Sequence, residues 1–162
     1  MHVSILAIFL VTASTLSYSD ELKSNEAIVL IKFQNLDRSI DSSQARLTFA
    51  SLDSNKSIKV RLKSKLQMFV VSAGSYYLKS VETGFVNMVV IDQPKPKDKS
   101  GVIEVPASSV VYLGDHGFDK KFEFHIEFRH ESLTEAADMD LPGGLPIYIS
   151  RAGNPPHKLT LK

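Results

Sequence analysis

The chain has 162 residues, is 43% hydrophobic and 23% charged, and carries a formal net charge of +1. That composition fits one soluble globular domain and gives no global field that would recruit nucleic acid or anionic lipid. Cysteine is absent, which excludes a disulfide framework, a thiolate metal site and a cysteine nucleophile.

The first element is a leader. Val3 to Ala13 is apolar apart from Ser4 and Thr12, and Ser17 and Ser19 place small side chains three and one before a cut ahead of Asp20. The run is shorter than the roughly 20 apolar residues a membrane span needs. No Lys or Arg precedes it. Residues 1–19 are therefore expected to be a cleavable signal peptide. The mature chain would be exported, periplasmic or secreted, with no transmembrane segment.

Glu26 to Gln34 reads as a strand with Val29, Ile31 and Phe33 on one face and Ile28 and Leu30 on the other. Apolar residues on both faces predict a strand interior to a sheet or covered at its edge. Asn35 to Gln44 is a connection rich in turn formers. Ala45 to Ala50 turns Leu47 and Phe49 inward, Asp53-Ser54-Asn55 is a turn, and Ile58, Val60 and Leu62 alternate with Lys59, Arg61 and Lys63. Leu66 to Val71, Tyr76 to Val81 and Phe85 to Ile91 are further strands, the first two separated by Ala73-Gly74. Asp92 to Gly101, with two prolines and three lysines, is a loop. Val102 to Val105 and Val110 to Leu113 are short strands, with Gly114-Asp115 closing the second.

Lys121 to His130 alternates strictly: Phe122, Phe124, Ile126 and Phe128 are expected in the core, and Glu123, His125, Glu127 and Arg129 in solvent. Ser132-Leu133-Thr134-Glu135 has the form of a capping box opening a short helix. Pro142-Gly143-Gly144 ends that region, Pro146 to Ser150 adds an edge strand, and 151–162 reads as a loose tail. The expected architecture is one all-β domain over 26–150, a β-sandwich of about seven to nine strands with one short C-terminal helix.

Val71-Ser72-Ala73-Gly74-Ser75-Tyr76-Tyr77-Leu78, Gly101 to Val105 and Val111-Tyr112-Leu113-Gly114-Asp115 resemble segments of bacterial envelope proteins, many of them lipoproteins, that carry a transthyretin-like, Ig-like sandwich. The resemblance spans roughly Ala27 to Ala137 and implies a fold akin to carboxypeptidase-regulatory domains. It brings no catalytic residues. Without a cysteine there is no lipid-modified residue, so no lipid anchor is expected.

Candidate chemistry is sparse. Ser72 and Ser75 flank Gly74 without forming a Gly-x-Ser-x-Gly elbow, and no Gly-rich phosphate loop precedes a helix. His125 and Glu127 share a strand face. Asp115, His116 and Asp119 are candidates for a divalent cation if the Gly114–Gly117 segment is a tight turn. That gives a metal-dependent enzyme as one reading, though the leading expectation is no catalytic residue, no metal and no cofactor. Binding has better candidates. Lys59, Arg61 and Lys63, with Tyr112 and His116, are possible ligand or partner residues, and Lys95, Lys97 and Lys99 would extend a basic patch if the two regions adjoin. Lysines and prolines also protect strand edges without binding anything. The chain is thus read as a non-catalytic envelope accessory or protein-interaction module, with a glycan or anionic-polymer binding module as the alternative.

Overall fold

A computed structural model describes residues 22–35, 45–82, 90–119, 123–139 and 141–159. The leader, the Asn35–Gln44 connection beyond its first residue and most of the Phe85–Ile91 strand lie outside the described residues. So does Phe122.

Two sheets stack face to face, and one helix covers the outer face of the first. The six-stranded sheet runs β11 (His157–Leu159), β10 (Ile147–Ile149), β8 (Val110–Phe118), β1 (Glu26–Asn35), β4 (Gln67–Ser72), with β9 (Phe124–Glu127) also on β8. The five-stranded sheet runs β3 (Ser57–Arg61), β2 (Arg46–Ser51), β5 (Gly74–Glu82), β6 (Val90–Asp92), with β7 (Ile103–Val105) also on β5. This is the expected all-β, sandwich-like fold with one short helix, α1 (His130–Ala137). It has more and shorter strands than anticipated, because both long central strands share one edge between two partners.

The placement of β1 follows from its apolar residues on both faces. Val29, Ile31 and Phe33 enter the core between the sheets with Leu47, Phe49, Val60 and Phe118. Ile28 and Leu30 face the other way and pack with Tyr112, Val110 and Ala136 beneath α1. Each fully buried side chain of this kind contributes roughly 1.5–3 kcal/mol. Such a strand is stable only with neighbours on both edges and layers on both faces. It has β8 parallel on one side and β4 antiparallel on the other.

Several expectations are corrected. Gly114-Asp115 does not close a strand; β8 continues to Phe118, buried along its whole length. The capping box is not formed. The helix begins after Arg129, which makes no side-chain cap bond. Ser132 Oγ instead donates to Asp115 Oδ2 at 2.8 Å, and Glu135 accepts from Lys32 Nζ at 2.6 Å and from the Leu66 amide at 3.0 Å. Tertiary partners have taken both side chains that local capping would use. The 151–162 segment is not uniformly loose either, since 157–159 forms β11 against β10.

Candidate functional site: a cleft where both sheets change partner

On its edge away from β2, β5 pairs with β7 through Gly74–Tyr76 and with β6 through Ser80–Glu82. On its edge away from β1, β8 pairs with β10 through Val110–Tyr112 and with β9 through Asp115–Phe118. Each strand also carries an extra residue at the changeover. Thr48 and Phe49 oppose Ser80 and Leu78, leaving Lys79 over. Leu30 and Lys32 oppose Tyr112 and Asp115, so Leu113 and Gly114 together face Ile31. These are β-bulges, which bend a strand and shift the side-chain alternation by one. Accordingly Val111 and Leu113 point into the core, and after the bulge Phe118 does so, with the His116 ring against Phe49 and Phe124. Gly114 has φ of 97°, and a Cβ there would lie 2.9 Å from the Glu127 carbonyl oxygen, so only glycine fits.

The two changeovers front one cleft of about 530 Å3. Leu78, Ile103, Leu113, Ile126 and Phe128 supply an apolar wall, Pro94 and Pro96 of the 93–101 loop form one lip, and Ser150 to Ala152 the other. That volume falls in the range of about 300–1,000 Å3 usual for small-molecule sites. Ile126 is 40% exposed and is the one large hydrophobic side chain left exposed among the described residues. It was expected in the core. It lies instead on the cleft wall because β9 is a short strand at the rim of the changeover. Phe124 is only partly buried, with its ring 5.4 Å from that of Phe118. Phe128 turns to Tyr112, 5.8 Å away edge-on.

The cleft's charge sits at its rim. The Arg151 guanidinium carbon lies 4.3 Å over the Phe128 ring, and Lys97 lines the loop side. Neither has a carboxylate partner among the described residues. Asp98, also on the loop, is occupied: it accepts from the Ser100 amide at 2.8 Å and hydroxyl at 2.5 Å, and these bonds hold its carboxyl below the usual range. Ser150 Oγ donates to the Glu104 carbonyl oxygen at 2.7 Å. His116 lines the floor. Burial pushes its pKa down to about 4, despite the opposing hydrogen bond to the Gly114 carbonyl oxygen, 3.1 Å from Nδ1. The ring is therefore neutral near pH 7, with its proton on Nδ1 and its lone pair on Nε2.

The sequence candidates scatter. Lys59 is half-buried on β3 and pairs with Glu82 at 3.0 Å; Arg61 is exposed at the end of β3, and Lys63 is exposed beyond it, where its carbonyl oxygen accepts from the Phe33 amide of β1 at 2.9 Å. The lysines of the 93–101 loop belong to the opposite edge of the β3 sheet, so the conditional basic patch is not formed. Tyr112 and His116 are 0% and 1% exposed; Tyr112 is covered and outside the cleft, while His116 is the sequence candidate that reaches the cleft floor. The Tyr112 hydroxyl donates to Asp115 Oδ1 at 2.5 Å, and burial followed by this carboxylate raises its pKa.

Asp115 and His116 face opposite sides of the sheet, so they do not converge with Asp119 on an ion. The donor atoms of Asp119, Glu123 and His125 do gather within 4.8 Å of one another at the β8–β9 turn. Asp119 Oδ1 accepts from the Glu123 amide at 2.9 Å, a bond that closes the hairpin. His125 Nε2 lies 3.2 Å from Asp119 Oδ2, at ion-pair distance but without hydrogen-bond alignment.

Arg151 and the apolar wall were not anticipated, and Lys97 was expected only as part of a patch with Lys59, Arg61 and Lys63, not at a cleft. A signal for the changeovers does exist in the chain. Inward residues fall at Tyr76, Leu78 and Val81, and at Val111, Leu113, His116 and Phe118, each a period-2 pattern with one step of three. The class defined by fold and site is a sandwich-like all-β domain with an apolar cleft rimmed by cations. No family model, curated protein or solved structure matches this chain.

Proposed function

We propose that the mature protein is a non-catalytic, exported binding module of the cell envelope, periplasmic or secreted, related to transthyretin-like envelope domains. Its ligand enters the cleft between the two changeovers. The observation that carries this reading is the cleft itself: an open, largely apolar concavity of about 530 Å3 on a domain in which, among the described residues, no large apolar side chain other than Ile126 is left exposed. Leaving Ile126 exposed on its wall costs solvation free energy that a ligand would recover on binding. Glycan or anionic-polymer binding through Lys59, Arg61 and Lys63 has less support, because Lys59 is tied to Glu82. Catalysis has little, because Ser150 is hydrogen-bonded away and His116 is too weak a base at neutral pH.

The test uses the neutral fluorescent hydrophobe N-phenyl-1-naphthylamine with the mature chain. Saturable binding is expected, weakened about tenfold or more by Ile126→Asp, as loss of one well-packed aliphatic contact implies. Ile126→Asp should melt like the parent, since the site is already part-exposed. Absence of saturable binding, or binding indifferent to Ile126→Asp, overturns the proposal.

A further inference from the structure

Resting on that reading of the cleft, we infer that its ligand is an amphiphilic anion: an apolar chain lying on the Leu113, Ile103 and Ile126 wall, with a carboxylate or phosphate head on Arg151. Three features of the cleft point to this chemistry. The wall offers aliphatic and ring surface. The one carboxylate in its lining is engaged, Asp98 by the Ser100 amide and hydroxyl, and Ser150 Oγ is taken by the Glu104 carbonyl oxygen.

The charge at the rim is lopsided. Arg151 and Lys97 stand against Asp98 alone, and His116 on the floor is neutral near pH 7. Arg151 is moreover held in place. Its guanidinium is stacked on Phe128, while the following turn is fastened by the Gly153 amide to the Val102 carbonyl oxygen at 2.9 Å. A guanidinium fixed by stacking, with no carboxylate among the described residues, keeps its planar donor fork for an incoming anion. Apolar wall and cation border the same opening, so one molecule with a tail and an anionic head satisfies both.

Displacement of N-phenyl-1-naphthylamine at pH 7.5, below micelle formation, tests this. Decanoate and decyl phosphate are compared with the uncharged 1-decanol and the cationic decyltrimethylammonium. At least one anion should displace the reporter at about tenfold lower concentration than decanol, the size of one charge-assisted hydrogen bond. The cation should be the weakest. Which anion is stronger separates a free fatty acid from a lipid phosphate, and either order supports the inference. Arg151→Gln should abolish the anion's advantage while still binding the reporter, and Arg151→Lys should restore part of it. If the reporter binds but all four amphiphiles displace it equally, or the advantage survives Arg151→Gln, the inference falls and the cleft reading stands. If the reporter does not bind at all, the cleft reading itself falls.

Discussion

His116 shows how much one position depends on the strand around it. In a tight turn the imidazole would be expendable; inside β8 it is packed against Phe49 and Phe124, with ring centroids at 6.3 and 5.8 Å. His116→Ala is therefore expected to leave a cavity and cost about 2–4 kcal/mol in chemical denaturation. The same burial makes stability depend on pH. The folded-state pKa of about 4 lies below the ordinary 6.5, so between those values the unfolded chain binds the proton and the folded chain does not. Stability is then full above pH 6.5 and falls as pH drops toward 4, by about 3 kcal/mol in total. Glu135, whose carboxyl is held low first by Lys32, adds a loss in the same direction below the ordinary carboxylate range. Denaturation of His116→Leu at several pH values should show no loss between pH 6.5 and 5 and retain the one at lower pH. A loss between 6.5 and 5 as steep as the parent's would show that the imidazole is not its source.

At the scale of elements, α1 is placed by the sheet as much as by its own residues. Asp115 on β8 accepts from Ser132 in the helix's first turn and from Tyr112 one bulge earlier, while Glu135 reaches Lys32 and the start of β4. A carboxylate there is also well placed for the positive end of the helix. Ser132→Ala and Asp115→Asn should be non-additive, with a coupling of about 1–3 kcal/mol in a double-mutant cycle, whereas a local cap would give independent losses. Gly114→Ala tests the bulge. Positive φ and contact with the Glu127 carbonyl oxygen make a loss of at least about 1–3 kcal/mol the expected outcome, with reporter binding weakened because Leu113 and Ile126 shift.

Over the whole molecule, the changeovers link stability to the cleft. The strands that end at the gap are short, and the segment after Ser150 closes one side of it before pairing as β11. Truncation after Ser150 removes Arg151, the Gly153–Val102 hydrogen bond and the edge strand. A loose tail would be dispensable. The structure instead leads to a loss of about 2–3 kcal/mol, which for a chain of this size lowers the melting temperature by several degrees. It should also abolish any preference of the cleft for anions. An unchanged melting temperature would mean that β11 contributes nothing.

Strand identity was legible in the chain wherever burial is local in origin. Val29, Ile31 and Phe33 opposite Ile28 and Leu30 mark a central strand, and Leu47 and Phe49, or Ile58 and Val60, mark half-buried ones, because alternation in a strand has a period of two whatever its neighbours are. The all-β class and the late helix follow from such patterns. Partnering does not. A parallel pairing of β1 with β8 lies far apart in sequence, and the same Ser132 and Glu135 suit a cap or a tertiary bond equally well until Asp115, Lys32 and Leu66 come near. The cleft is further from reach still. Tyr77, Lys97, Leu113, Ile126 and Arg151 share no spacing, and only the two bulges, set by competition between edge partners across the whole fold, bring them to one opening.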